Sequence, residues 1–259
     1  MKREVKELKR IARGNLFGNY SEVIRAAVLS NLIISLAELP FSFTRNDVTF
    51  STSNLIYYAA LVLIGIASVV LTAGQYRIHL QMARNGKANS RELFTIAKTE
   101  SDRFIFTQVI MFVLSLIAMT PIFGAIALFL LFDSIKYYAI ALALGILGCI
   151  LLVYISLTFD LIYFVMIDNE NLSMLKALKY TKKLVHTHRK RYLYLQLSFI
   201  GMLCLGVLSF GIGMLWIQPY MVQTITLFYL DVKGELDTVL EERRKKGPAP
   251  EPTVINHYA

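Results

Sequence analysis

Long apolar stretches are the feature of this sequence that most constrains its fold. Five of them run for close to 20 residues or more, and they are residues 22–39, 54–75, 104–132, 137–166 and 192–210. A helix that crosses the hydrocarbon core of a bilayer needs roughly 20 predominantly apolar residues. A sixth stretch, residues 215–230, is shorter and carries Pro219 near its start. The sequence therefore predicts an all-α, polytopic membrane protein with six transmembrane helices.

The composition excludes the other common classes of chain. Hydrophobic residues make up 56% of the 259 residues and charged residues only 17%, whereas a soluble domain carries about 25% charged residues. Disordered chains are poor in Leu, Ile, Val and Phe, which are abundant here. The two cysteines are too few for a disulfide scaffold. A polytopic membrane protein is the class that remains.

The distribution of Lys and Arg predicts the orientation of the chain. Four segments hold 24 of the 27 basic residues, and they are residues 1–21, 76–103, 167–191 and 231–259. The loops on the opposite side carry only Arg45 and Lys136. Because cytoplasmic loops collect Lys and Arg, we expect both termini in the cytoplasm. We treat residues 1–234 as one membrane domain and residues 235–259 as a charged, Pro-containing cytoplasmic tail.

Two cytoplasmic segments have the pattern of interfacial amphipathic helices. In residues 1–13, apolar side chains recur at helical spacing on one face and basic side chains occupy the other, which is typical of a helix on anionic lipid. This helix either anchors and orients the chain or binds a partner. A second helix is expected to begin at Ser173, whose side chain is suited to an N-cap. The residues expected to contact lipid head groups are Arg10, Arg13, Lys183, Arg189, Lys190 and Arg191.

Polar side chains at membrane depth are few, and such residues often mark function. Asp160, Gln108 and Gln223 are the candidates for a polar intramembrane site. Alternatively, Asp160 is a carboxylate at the water boundary that pairs with a cytoplasmic base, and the glutamines form structural bonds between helices. Pro121 and Gly124 interrupt the third span. This interruption indicates either a kinked helix or a broken helix that lines a substrate site.

Motifs for catalysis or cofactor binding are missing from the sequence. It has no phosphate-binding loop, dinucleotide fingerprint, zinc-protease motif or nucleophile elbow. His186 and His188 have no clustered Cys or carboxylate and make a poor metal site. No soluble domain is left to present a nucleic-acid-binding patch. We therefore expect a non-enzymatic protein without metal or cofactor, whose partners are the lipid bilayer, its anionic head groups and another membrane protein.

The C-terminal third of the chain carries residues that resemble one protein family. They are Asp168, Ala177, His188, the runs 197–201 and 211–213, Trp216, Pro219, Tyr220, Phe228 and Tyr229. The run 12–20 is also similar to the opening of that family. The family is a bacterial integral membrane family catalogued as domain of unknown function 975, and this chain departs from it at Thr187 and Met202. The resemblance implies a helical bundle in the bacterial cytoplasmic membrane and no particular reaction.

Several of the shared residues are suited to a structural role. The segment from Gly211 to Pro219 is expected to form a tight outer turn, in which Gly supplies unusual backbone angles, Pro starts the next helix and aromatic side chains lie at the membrane interface. Small residues also let helix backbones approach closely. The residues of this motif are Gly201, Gly211, Gly213, Trp216, Pro219 and Tyr220.

Two functions are compatible with these features. The first is a non-enzymatic accessory or scaffold subunit that binds membrane partners or lipids. The second is a small-molecule or lipid transporter with a site near a broken third helix, lined by Gln108, Thr120, Asp160 or Gln223. The short outer loops and the large basic cytoplasmic surface favour the first function.

Overall fold

The chain folds into α-helices joined by short connections. A computed structural model describes residues 3–42, 52–132 and 134–245, and within these ranges the chain has no β-strand. The chain also contains a 3₁₀ helix, Ser90–Phe94. In chain order the α-helices are α1 (Val5–Leu16), α2 (Tyr20–Ser42), α3 (Thr52–Asn85), α4 (Thr95–Thr99), α5 (Ser101–Leu131), α6 (Ile135–Phe159), α7 (Ile162–Asp168), α8 (Met174–His186), α9 (Arg189–Leu197), α10 (Ile200–Leu208), α11 (Met214–Lys233) and α12 (Leu236–Lys245).

Five helical segments in the described part of the chain are long and apolar enough to cross a membrane. They are Tyr20–Ser42, Asn54–Asn85, Ser101–Leu131, Ile135–Asp168 and Arg189–Leu208. These segments contain the five long apolar stretches of the sequence apart from a few terminal residues. The sixth stretch lies within α11, which is not among these five segments and includes polar residues such as Gln218, Gln223 and Asp231. The sixth span therefore stays a prediction.

The largest buried cluster lies where α1, α7, α9 and the C-terminal halves of α3 and α11 meet. Stacked aromatic rings connect these helices, with Phe164 lying 4.8 Å from Tyr76 and 5.6 Å from Tyr229 between ring centroids. In contrast, only 11–22% of the most apolar window of each candidate span is buried. The chain thus packs tightly at one end and leaves much of its spanning surface uncovered.

Helix α1 lies antiparallel to α11. The backbone N–H of Arg3 donates to Asp231 at 3.3 Å, and Nε of Arg13 donates to the hydroxyl of Tyr220 at 3.2 Å. The sequence correctly predicts an amphipathic helix here, although Met1 lies outside the described residues. Its apolar face, which the sequence pattern assigns to lipid, belongs to the protein core. The side chains buried on that face are Val5, Leu8, Ala12 and Leu16.

Helices α5 and α6 form a long hairpin, and α5 is continuous from Ser101 to Leu131. Of the two alternatives that the sequence left open, kinked or broken, the broken third helix is excluded by this continuity. Pro121 lacks the N–H that would bond to the carbonyl of Ile117, and the hydroxyl of Thr120 donates to that carbonyl instead. The two helices approach closely at Gly148, where an added Cβ would lie 2.4 Å from Ile122. Small side chains thus allow the hairpin to pair along its length.

Two of the predicted spans contain local breaks. The helix breaks at Asp160 and Leu161, between α6 and α7, and again at Ser198 and Phe199, between α9 and α10. Ser173 occupies the N-cap position of α8 as predicted, but its side chain makes no capping hydrogen bond. These breaks bring polar side chains and backbone carbonyls to the edge of the packed core.

The first part of the predicted tail is the helix α12, which packs on α3 and α11. The side chain of Leu236 is fully buried. Arg3 forms a salt bridge of 2.6 Å with Asp237, and this hydrogen-bonded contact raises the pKa of Arg3. Residues 246–259, which include the three prolines of the tail, lie outside the described residues. Residues 236–245 therefore pack with the core.

Candidate functional site

Asp160 lies at the junction of α6 and α7 and faces α9. The hydroxyl of Tyr192 donates to Oδ2 of Asp160, and Nε2 of Gln196 donates to the same oxygen at 3.0 Å. Gln196 also donates to the Tyr192 hydroxyl at 2.9 Å. Tyr192 is fully buried against Phe228, whereas Asp160 is only half-buried. The carboxylate is thus held by two neutral donors at the edge of the core.

A groove opens beside this carboxylate. Its volume is about 430 Å³, and its lining residues are Leu152, Val153, Ser156, Leu157, Asp160, Leu193 and Gln196. Gln108 and Gln223, the other two candidates for the polar site, do not line it. Of the four side chains given as alternatives for lining a transporter site, the groove includes only Asp160.

The two glutamines are bound elsewhere. Gln108 accepts a hydrogen bond from the hydroxyl of Tyr163, between α5 and α7. Oε1 of Gln223 lies 2.8 Å from Nδ1 of His79, in a fully buried contact between α3 and α11. Within the described ranges, Nε2 of Gln223 has no hydrogen-bond partner. The three predicted residues thus belong to separate helix contacts and share no hydrogen bond.

A buried ionic cluster surrounds Asp168, whose side chain is 3% exposed. Its carboxylate lies 2.7 Å from Arg84 and 2.9 Å from Lys233, and it accepts a hydrogen bond of 2.8 Å from Tyr229. Glu235 lies 3.1 Å from Arg84 and 2.6 Å from Lys233. The sequence marks Asp168 as a residue shared with a family but gives no sign of its ionic partners. Its partners lie on α3 and α11 and are far from it in sequence.

The six basic residues assigned to head groups form two groups of three, those that contact other helices and those that are exposed. Arg13 donates to Tyr220, the guanidinium of Arg189 lies over the ring of Tyr154, and Arg191 pairs with the buried Asp231 at 2.7 Å. The other three side chains are exposed, and they are Arg10, Lys183 and Lys190. Lys183 and Lys190 can reach head groups without giving up a contact of this kind, whereas Arg10 also lies 4.0 Å from Glu7 on its own helix.

Lys9 is a basic residue that the sequence analysis did not single out. Its ammonium donates to the backbone carbonyl of Ser198 at 2.9 Å and lies 3.9 Å from the centre of the Phe199 ring. Partial burial, followed by the nearby charge of Arg13, lowers the pKa of Lys9. Lys9 thus supplies a donor to the carbonyl exposed by the break between α9 and α10.

The turn between α10 and α11 depends on glycine. Gly211 has a φ of +84°, in the left-handed region that favours this residue. The backbone N–H of Gly213 bonds to the Ser209 hydroxyl at 2.8 Å. Pro219 does not start the helix as expected, because α11 begins five residues earlier at Met214.

The remaining motif residues have different surroundings. Trp216 is 51% exposed, whereas Tyr220 is buried against Phe199 and Arg13. A Cβ added to Gly201 would have no neighbour within 4 Å, so this glycine permits no close helix approach. The motif therefore combines a turn, a core residue and a surface residue rather than one site.

Metal ligands do not converge in the described part of the chain, since it holds no group of three or more His, Cys, Asp or Glu side chains able to bind a metal ion.

Comparison with known proteins gives a family but no relative of known activity. No curated protein and no solved structure matches the chain significantly. One family, described as protein of unknown function (DUF975), matches residues 1–235. The match covers all five membrane-compatible helices and the packed core except α12. The chain therefore belongs to the DUF975 family.

Proposed function

We propose that this protein is a non-enzymatic accessory or scaffold subunit of the bacterial cytoplasmic membrane. It has six spans and both termini in the cytoplasm, and it binds another membrane protein through the hairpin of α5 and α6. The observation that supports this proposal is the exposure of the hairpin. Only 11% of the most apolar window of α5 is buried, the lowest value among the five candidate spans.

The contacts within the hairpin support a docking role. Apart from each other, α5 packs mainly on α3, and α6 packs on α8 and α9. Beyond residue 110, the buried residues of the hairpin are mostly small, such as Ala118, Ala125 and Gly148. The large side chains Phe123 and Phe129 point outwards and are more than half exposed. In lipid, helices associate through packing rather than through the hydrophobic effect. This ridge of outward-facing side chains is therefore suited to packing against another spanning helix.

The surface that we assign to the cytoplasm is basic. Exposed lysines recur along α8, and the exposed Arg10 lies on the polar face of α1. We infer that these side chains contact anionic head groups beside the docked partner, since each basic residue near an anionic surface contributes about 1 kcal/mol. We include in this proposal that α1 and α8 lie at the interface between the membrane and the cytoplasm.

The alternative function, a transporter, has weaker support. The transporter hypothesis places its site near a broken third helix, but α5 is continuous. Gln108 and Gln223 are engaged in separate contacts, and Thr120 bonds to its own helix. Of the side chains named for such a site, only Asp160 borders the groove, and the broken helix that would line the site is absent from α5. We therefore do not propose transport.

Site-specific photo-crosslinking in cells tests the proposal. A benzoylphenylalanine is placed at Phe129 on the hairpin, which is 62% exposed, and at Leu55 on α3, which is 70% exposed. We expect one defined protein adduct from Phe129 and none from Leu55. Mass spectrometry should identify the same protein, in stoichiometric amount, in native-lipid nanodiscs of the unmodified chain.

The Leu55 position is the matched control because it presents a similar apolar surface on another helix. If both positions give only lipid adducts, the hairpin faces lipid and the partner proposal is wrong. Equal protein adducts from both positions would likewise contradict a specific hairpin surface.

A further inference from the structure

The groove beside Asp160 contains free hydrogen-bond acceptors. Both hydrogen bonds that Asp160 receives end on Oδ2, so Oδ1 has no donor among the described residues. Because Gln196 directs its amide nitrogen to the carboxylate, its Oε1 is left without a donor from the described chain. Ser156 lies one helical turn before Asp160, and its exposed hydroxyl has no partner there either. Three oxygen acceptors are therefore available in one groove.

The carboxylate of Asp160 also has no counter-ion from the described chain. No salt bridge between described residues includes it. Its partners, a phenol and an amide, are neutral. Asp160 belongs to the candidate span Ile135–Asp168, and an unpaired carboxylate in such a segment is costly. A cationic ligand in the groove would remove this cost.

A primary ammonium matches the chemistry of the groove. It carries one positive charge and three N–H donors, and the groove offers one carboxylate oxygen, one amide oxygen and one hydroxyl. A quaternary ammonium has the charge but no N–H donor. A divalent metal ion would need about six oxygen ligands, more than this groove offers. The acceptor set therefore favours a primary amine.

The walls of the groove indicate that this amine belongs to a lipid. Leu152, Val153, Leu157 and Leu193 form an apolar surface beside the polar end. Both α6 and α9 are parts of segments that are apolar enough to cross a membrane. Val153 is about half exposed, so the groove is accessible from the side of the helices. An amphiphile fits this arrangement better than a soluble amine.

We propose that the groove between α6 and α9 binds an aminophospholipid. Its ammonium lies against Asp160, Gln196 and Ser156, and an acyl chain follows the leucine-lined wall. A volume of about 430 Å³ is enough for the head group and the first part of a chain. The groove is separate from the outward ridge of the hairpin, so the two proposals can fail independently.

Native mass spectrometry of retained lipid tests this site. The full-length protein is equilibrated in nanodiscs that contain equal parts of phosphatidylethanolamine, its N-methyl and N,N-dimethyl forms, phosphatidylcholine and phosphatidylglycerol. It is then released into mild detergent, and the retained lipids are counted. We expect retention to fall with each added methyl group, because each one removes an N–H donor. Asp160→Asn should reduce the retained phosphatidylethanolamine at least tenfold.

Two further variants separate binding from folding. Glu170→Gln makes the same acid-to-amide change at an exposed position and should retain lipid as the unaltered protein does. Val153→Trp fills the groove without removing a hydrogen bond of Asp160, and it replaces Asp160→Asn if that variant is not monodisperse. Equal retention of phosphatidylethanolamine and phosphatidylcholine would overturn the proposal, as would normal retention by Asp160→Asn or Val153→Trp. Displacement of the lipid by millimolar soluble ethanolamine would assign the site to a free amine instead.

Discussion

In this protein, buried carboxylates form salt bridges that connect helices distant in sequence. Asp168 at the end of α7 pairs with Arg84 on α3 and Lys233 on α11, and Asp231 pairs with Arg191 on α9. Each of these carboxylate side chains is less than 5% exposed. Removing one partner of a buried pair leaves an uncompensated charge, which is usually more destabilising than the pair itself is stabilising. The two acids therefore set the arrangement of four helices.

We predict that Asp168→Asn lowers the free energy of unfolding by about 3 kcal/mol. The amide cannot neutralise Arg84 and Lys233, which stay partly buried beside it. The measurement is thermal unfolding in nanodiscs, followed by the loss of monodisperse protein. Asp102→Asn is the control, because Asp102 is exposed at the start of α5. Equal melting temperatures for the two variants would show that the cluster does not hold the helices together.

At the scale of the helix, the length of each apolar stretch predicts where a helix lies but not where that helix is interrupted. The apolar stretches gave the positions of α2, α3, α5 and α6. Pro121 suggested a break in α5, but the adjacent Thr120 compensates for the missing hydrogen bond. The breaks between α6 and α7 and between α9 and α10 contain no proline or glycine. At these breaks, Tyr192 donates to the side chain of Asp160 and Lys9 donates to the backbone carbonyl of Ser198. Apolar length alone contains no information about such partners.

A close approach between elements gives a second prediction, at Gly74. A Cβ at this position of α3 would lie 2.1 Å from the backbone oxygen of Leu93, in the 3₁₀ helix. Backbone atoms cannot move aside as a side chain can, so Gly74→Ala should cost about 1–3 kcal/mol. Gly65→Ala on the same helix meets nothing within 4 Å. We expect this control to be neutral or slightly stabilising, since Ala favours helix.

The same thermal measurement compares the two alanine variants. A melting temperature for Gly74→Ala that equals that of Gly65→Ala would mean that the 3₁₀ helix does not contact α3. The sequence gives no sign of this contact at Gly74, because a contact between segments 19 residues apart leaves no local pattern.

At the scale of the whole molecule, composition and charge determine the class of protein, but not the site. The apolar stretches predicted a helical membrane protein, and the five candidate spans agree with this class. The candidate site was predicted only in part. Asp160 lines a groove, but Gln108 and Gln223 lie in other contacts. Which polar side chains meet depends on helix rotation and crossing, and these are set by packing rather than by local sequence.

Cysteine labelling tests the topology that we propose. In a background with Cys149 and Cys204 replaced by alanine, Ser134→Cys lies between α5 and α6, and Lys98→Cys lies between α3 and α5. A membrane-impermeant maleimide added to intact spheroplasts should label the first position only, because the positive-inside rule places the basic segment 76–103 in the cytoplasm. Both positions should react after lysis. Labelling of Lys98→Cys in intact spheroplasts would reverse the orientation.

The pairing of α1 with α11 and α12 has a consequence for the order in which the chain is made. Arg3 bonds to Asp237, which a ribosome adds 234 residues later. Until α11 has been made, the apolar face of α1 has none of its final neighbours on that helix, and chains in synthesis are vulnerable while such surfaces are open. The part of the core between α1, α11 and α12 can therefore close only when the last of these helices emerges.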